Sequence, residues 1–117
     1  MKRGEIWTFA GGSGYAGKPR PAVIVQDDAF DATASVAVCP FTTNPMEAPL
    51  FRLAVEPNVR NGLRASCRLM VDKLTAVPRE RLGECIGRLD DADLLRLNQS
   101  VLVFLGIAAS PRTRGRN

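Results

Sequence analysis

The sequence contains no histidine, and this absence removes several kinds of chemistry at once. It excludes a histidine general base, a Cys-His nucleophile and every histidine-containing zinc site. The three cysteines, Cys39, Cys67 and Cys85, form no Cys-x-x-Cys pair, and they predict buried free thiols in a reducing compartment. We therefore expect neither a metal nor a cofactor. Any catalysis has to depend on Arg, Lys, Thr, Ser, Tyr, Asp or Glu side chains.

Long hydrophobic runs are also missing. No segment approaches the roughly 18 consecutive apolar residues that a membrane span needs. Residues 1–5 lead directly into an apolar strand pattern, without the apolar core of a signal peptide. We therefore expect a cytoplasmic protein that does not enter a membrane.

The positive charge is small and unevenly placed. The formal net charge is +4, and three of the 16 basic residues lie in the segment 112–117. The remaining basic residues almost balance the 12 acidic ones, so a site for a polyanion has to be a local cluster. At 117 residues the chain has the usual size of one domain. We predict a single domain over 1–110 and a basic, disordered tail over 111–117, with non-specific attraction of RNA as the alternative role of the tail.

Short apolar segments separated by turn residues predict a mainly β protein. The continuous apolar run 21–26 indicates a strand that is buried on both faces, whereas the alternating segment 50–55 indicates a half-exposed strand. Near the C-terminus, Asp90, Asp91 and Asp93 are suited to cap a helix, and apolar residues follow at helical spacing until Gly106. We predict a small, strongly bent sheet or barrel closed by a C-terminal helix. The predicted strands are 4–9, 21–26, 35–39, 50–55, 66–70 and 73–77, and 82–89 is either a last strand or an extended arm.

The first candidate for chemistry is Arg20, between a glycine-rich loop and the apolar run. Pro19 and Pro21 restrict the backbone on both sides, so the side chain can be aimed reproducibly. Its guanidinium keeps its charge and suits phosphate oxygens. A surface arginine in a turn is the alternative interpretation.

Further candidates follow the next strands. Thr42, Thr43 and Asn44 could hydrogen-bond a phosphate or could satisfy local backbone groups. The basic residues Arg64, Arg68 and Lys73 could line the rim of a groove, or they could form a structural ion pair with Asp72. Two aromatic residues could stack on nucleic-acid bases: Tyr15, and Trp7, for which a core position is favoured.

The order of these segments resembles the MazF/PemK family of toxin endoribonucleases. Residues 2–7 (Lys-Arg-Gly-Glu-Ile-Trp) are similar to the opening strand of that family, and 17–26 are similar to its Arg-Pro strand. Residues 39–44 resemble the threonine-bearing segment, and 60–63 and 69–74 resemble later family segments. The resemblance extends from residue 2 to about residue 108.

The resemblance implies an SH3-like barrel of the CcdB/MazF/PemK type that forms a homodimer. It also implies metal-independent cleavage of single-stranded RNA at short sequence motifs, to give a 2′,3′-cyclic phosphate and a 5′-hydroxyl. A cognate MazE-like antitoxin would block the groove with an acidic segment. The catalytic arginine and threonine of the family correspond to Arg20 and Thr42. The residues expected to contact RNA are Lys18, Thr43, Asn44, Tyr15, Arg68 and Lys73.

Two features leave alternatives open. Many family members carry an acidic residue in the loop after the first strand, but residues 13–16 contain none, and we assign no residue as the general base. A CcdB-like toxin that poisons gyrase, or a decayed barrel that binds RNA or protein without cutting it, is the alternative.

The apolar residues on more than one side of the C-terminal helix (Leu94, Leu95, Val101 and Phe104) suggest that it packs partly against a second subunit. A wider core within one subunit would also explain them.

Overall fold

Seven strands and a C-terminal helix make up most of the computed structural model, which describes residues 1–10 and 19–109. Tyr15, Lys18 and the predicted tail lie outside these residues. Short 3₁₀ turns cover Asp28–Phe30, Val71–Lys73 and Arg79–Arg81. The predicted order of strands followed by one helix is confirmed. The elements are β1 (Glu5–Ala10), β2 (Pro19–Ile24), β3 (Ser35–Thr42), β4 (Arg52–Val55), β5 (Cys67–Met70), β6 (Thr75–Pro78), β7 (Leu82–Arg88) and α1 (Asp91–Phe104).

Strand β3 is the centre of the antiparallel sheet, whose main path is β4-β5-β3-β2-β1-β7. One edge of β3 pairs with β2, and the other edge pairs with β6 along its first half and with β5 at its end. The turn Val71–Lys73 separates β5 from β6. Because this turn interrupts the partner strand, the sheet can bend along β3, as a small barrel requires.

Both faces of the sheet are covered by apolar side chains. One core cluster contains Val23 together with Leu89 and Leu97, and it lies on the side of helix α1. The other contains Ala22 and Ile24, with Trp7 packed against it and partly buried. Successive residues of a strand point to opposite faces. The predicted burial of β2 on both faces is therefore confirmed.

Helix α1 forms where its apolar spacing predicts it, with Asp90 at the N-cap and Asp91 and Asp93 in its first turn. Asp90 makes no side-chain capping bond. Its carboxylate instead accepts a hydrogen bond from Asn58 Nδ2 at 3.0 Å and lies 3.8 Å from Arg60 Nε. Gly106 follows the helix with a φ of 77°, the left-handed conformation that commonly ends helices. Among the described residues no helix is both long and apolar enough to cross a membrane.

Two predictions about burial are wrong. Arg52 in β4 is buried, with 6% of its surface exposed, although the alternating pattern placed polar residues of this strand on the outside. Its charge is neutralised by Asp72, as described below. Cys85 is exposed, unlike Cys39 and Cys67, because β7 lies at the edge of the sheet.

Candidate functional site

Arg20 lies near the start of β2, opposite Phe9 of β1. Its side chain is exposed, and the flanking prolines hold the backbone in an extended conformation. Because the strand is anchored by the buried residues that follow, Arg20 projects from a rigid element. This is the position that the sequence predicted.

The register of the sheet relates Arg20 to Thr42. Residues Ala22 and Pro40 are the last paired residues of β2 and β3, and Arg20 and Thr42, each two residues beyond that pair, both line the second cavity. Thr42 in turn pairs with Arg68 of β5. Directly opposed residues of neighbouring strands point to the same face. Arg20, Thr42 and Arg68 therefore form a row across three strands, which we call the polar row.

Three adjoining cavities follow this row, and we call them together the groove. The first, of about 330 Å³, lies between Arg20, Phe41 and Lys73. The second, of about 430 Å³, is bordered by Arg20, Thr42 and Thr43. The third, of about 130 Å³, shares Thr43 with the second and extends to Arg68. Because each cavity shares lining residues with the next, the groove can hold an extended ligand.

The groove is basic at one end. Among the described residues that line the first cavity, three are basic, namely Arg20, Lys73 and Arg81, and none is acidic. A concave surface with charge of one sign attracts the opposite charge strongly. This is the local cation cluster that a nearly neutral chain needs in order to bind a polyanion.

The hydroxyl group of Thr42 has a local partner. Its Oγ1 accepts a hydrogen bond from the backbone N–H of Asn44 at 3.2 Å, so the predicted satisfaction of a backbone group does occur. A hydroxyl group that accepts one bond can still donate its proton, and Thr42 faces the second cavity. Asn44 is exposed and is not among the residues that line the groove. Tyr15 and Lys18 lie outside the described residues.

Asp72 pairs with a residue that the sequence analysis did not select. Its carboxylate accepts two hydrogen bonds from Arg52, at 2.6 and 2.9 Å. These bonds lower the pKa of Asp72 because they stabilise the charged form. Arg68, by contrast, donates to Glu47 at 3.3 Å. The ion pair between Arg52 and Asp72 is therefore structural, whereas Lys73 and Arg68 line the groove.

The side chain of Asn61, also missed from the sequence, holds the segment that follows β4. It is fully buried, its Oδ1 accepts from the N–H groups of Asn58 and Leu63, each at 3.0 Å, and its Nδ2 donates to the carbonyl of Glu56 at 2.8 Å. Gly62 follows with a φ of 67°. An Asn-Gly pair is typical of a turn, but it does not reveal the hydrogen bonds inside this one.

Comparison with known proteins agrees with this geometry. Residues 2–105 match the family model described as PemK-like, MazF-like toxin of type II toxin-antitoxin system. The chain is 53% identical over 108 residues to the probable endoribonuclease MazF of Mycolicibacterium smegmatis, with 92% of this chain and 99% of that protein covered. It is 32% identical over 117 residues to endoribonuclease MazF9 of Mycobacterium tuberculosis, which covers 92% and 98% of the two chains.

Solved structures share the fold. An endoribonuclease from a mycobacterial species, solved in complex with its cognate antitoxin, superimposes with a TM-score of 0.77 at 22% identity, covering 94% of this chain and 99% of that one. The Mycobacterium tuberculosis toxin MazF-mt6 gives 0.71 at 22% identity, covering 86% and 95%. The predicted barrel of the CcdB/MazF type is therefore confirmed. The family match over almost the whole chain and the identity with curated relatives place the chain in the PemK-like, MazF-like family of type II toxins.

Proposed function

We propose that this chain is a metal-independent endoribonuclease that cuts single-stranded RNA, as the toxin of a type II toxin-antitoxin system. One observation supports the location of the reaction above all others. Arg20 and Thr42 both line the second cavity of a groove whose first cavity has basic and no acidic residues among the described residues that line it. A phosphodiester that crosses the polar row would meet a permanent cation and a hydroxyl group together.

The substrate supplies the nucleophile in this reaction. The ribose 2′-hydroxyl loses its proton and its oxygen forms a bond to the adjacent phosphorus, the bond from phosphorus to the 5′-oxygen breaks, and the leaving oxygen takes up one proton, so that no net proton is consumed. The products are a 2′,3′-cyclic phosphate and a 5′-hydroxyl end. Arg20 donates hydrogen bonds to the non-bridging oxygens, on which negative charge accumulates. Thr42 donates to the phosphate or orients the 2′-hydroxyl, so that the attacking and leaving oxygens align.

The remaining predicted contacts surround this centre. Lys73 lines the first cavity of the groove, Thr43 lines the second and third cavities, and Arg68 lines the third. Lys18, Tyr15 and Asn44 remain predicted RNA contacts. The substrate is messenger RNA, so the activity belongs in the cytoplasm and inhibits translation.

The proposal is tested by incubating the purified protein with an RNA oligonucleotide in EDTA. We expect cleavage, with Arg20→Ala reducing it about 10²–10³-fold, the usual effect of removing one oxyanion donor. Thr42→Val should reduce it less. Arg88→Ala is the matched control, since Arg88 is exposed on the edge strand β7 and does not line the groove. Circular dichroism establishes that each variant is folded. Intact RNA over a varied substrate panel, together with inhibited supercoiling by gyrase, would refute the ribonuclease proposal.

We also propose that the protein is a homodimer that binds a MazE-like antitoxin. Helix α1 and the residue that follows it leave large apolar side chains exposed, namely Leu95 (58%) and Phe104 (46%) in the helix and Leu105 (56%) after it, and such a surface is typical of subunit contacts. The antitoxin complex of the mycobacterial relative supports the second partner. Sedimentation at micromolar concentration should give the mass of a dimer, and a monomer mass would contradict this part of the proposal.

A further inference from the structure

The third cavity of the groove differs from the first in its charge. The residues that line it include Glu56, Ser66 and Arg68. A carboxylate repels phosphate but accepts hydrogen bonds from neutral donors. The cavity, of about 130 Å³, is therefore suited to an uncharged, planar group with N–H donors, such as a nucleobase.

Neighbouring residues hold both the side chain and the backbone of Glu56 in position. Ser66 Oγ donates to Glu56 Oε1 at 2.5 Å, and the buried side chain of Asn61 donates to the Glu56 carbonyl at 2.8 Å. Burial, and after it the charge of Glu56, raise the pKa of the neighbouring Cys67 thiol. The carboxylate is thus close to a residue that lines both the second and the third cavity. A positioned acceptor of this kind can discriminate between ligands.

The cavity also adjoins the polar row. Arg68 lines it and is the cross-strand partner of Thr42. The guanidinium of Arg68 donates to Glu47 Oε1 at 3.3 Å, and 84% of the Glu47 side chain is exposed. A phosphate held by Arg20 and Thr42 therefore leaves the base of a flanking nucleotide within reach of the third cavity.

We propose that the third cavity binds the base of a nucleotide flanking the cleaved phosphate, and that Glu56 selects a base with an exocyclic amino group over uracil. This inference rests on the proposed ribonuclease function. The amino groups of guanine, cytosine and adenine donate to a carboxylate. Uracil presents carbonyl oxygens on either side of its single N–H, and when that N–H donates to the carboxylate these oxygens face the negative charge without a proton between them. Such an unpaired contact weakens binding at a site that accepts hydrogen bonds.

The test begins with the wild-type protein and a long transcript, whose cleavage ends are mapped. The mapped sites should share an amino-bearing base at one flanking position. Oligonucleotides that differ only at that position are then compared for wild type, Glu56→Gln and the control Glu84→Gln, which removes an equal charge from β7, outside the groove lining. A glutamine amide both donates and accepts, so the discrimination against uracil should fall in Glu56→Gln by roughly 5- to 150-fold, the effect of 1–3 kcal/mol.

Each result has one meaning. Relaxed discrimination in Glu56→Gln alone supports the inference. If all three proteins cut at the same sites with equal preference, or if wild type cuts with uracil at every flanking position, the inference is wrong while the ribonuclease function stands. A folded wild-type protein that leaves RNA intact overturns both. If Glu56→Gln does not fold, Ser66→Ala takes its place; it frees the carboxylate from its hydrogen bond, and an unchanged base preference then counts against the inference.

Discussion

Replacing Asp72 with asparagine should leave the buried guanidinium of Arg52 without its counter-charge. The pair is bidentate, with distances of 2.6 and 2.9 Å, and 6% of the Arg52 side chain and 24% of the Asp72 side chain are exposed. Removing one partner of a fully buried pair costs about 3–5 kcal/mol. Because Asp72 retains some contact with water, we expect a loss of about 3 kcal/mol in the free energy of unfolding, at the lower end of that range.

The loss in the free energy of unfolding is measured by urea unfolding and compared with the loss at a second ion pair of similar geometry. Asp93 and Arg96 are also joined at 2.9 Å, and 21% of Asp93 is exposed, but 45% of Arg96 is exposed. Asp93→Asn should therefore cost no more than about 1 kcal/mol, as exposed pairs do. For a chain of this size, the loss of about 3 kcal/mol in Asp72→Asn corresponds to a fall in Tm on the order of 10 °C. Adding Arg52→Met should recover part of the loss, because the unpaired charge is then removed.

The pH dependence has a definite sign. Hydrogen bonds from Arg52 lower the pKa of Asp72 below its ordinary value of 3.8. The contribution of the pair to stability is therefore complete above that value and is lost as the pH falls through the pKa of the folded state. Wild type and Asp72→Asn should converge in strong acid. Equal losses for Asp72→Asn and Asp93→Asn at neutral pH would refute the reasoning.

Three further predictions concern the loop after β4 and the cysteines. Gly62→Ala should lower the free energy of unfolding by about 2–5 kcal/mol, because Gly62 has a positive φ and a Cβ would lie 2.0 Å from the Ile86 carbonyl oxygen; a melting temperature within the error of wild type would contradict this. Asn61→Ala leaves buried backbone groups without partners and should cost about 3 kcal/mol in urea unfolding. A thiol reagent should label the exposed Cys85 in the native protein and Cys39 only after unfolding, because burial raises the pKa of Cys39 to about 12. Mass spectrometry of the peptides distinguishes the two cysteines. Labelling of Cys39 in the native protein would contradict this prediction.

The fold could be predicted well because its signals are local. The continuous apolar run of β2, the prolines around it and the spacing of α1 each act within a few residues. Asp90 occupies the N-cap as predicted, but the bond of its carboxylate to Asn58 could not be predicted, because Asn58 is distant in the sequence. The pairing of Arg52 with Asp72 could not be predicted for the same reason. The alternating pattern of β4 contains no information about β5 or about the turn after β5, where Asp72 lies.

Only part of the candidate site could be predicted from the sequence. Arg20 and Thr42 were selected by resemblance, but their position at one cavity depends on the register of β2 and β3, which no local pattern determines. Glu56 was missed because its position depends on Ser66 and Asn61. An exposed glutamate after a strand is common on any surface. Only the folded arrangement distinguishes it from others.

The central place of β3 has a consequence for the order in which activity arises during synthesis. Its partners β2, β5 and β6 lie on both sides of it in the sequence, so the polar row needs long-range pairing, which is intrinsically slow to form. A chain still on the ribosome, with β5 not yet emerged, has Arg20 and Thr42 but no Arg68 beside them. The polar row is therefore complete only after β5 has left the ribosome, when more than half of the chain has been translated.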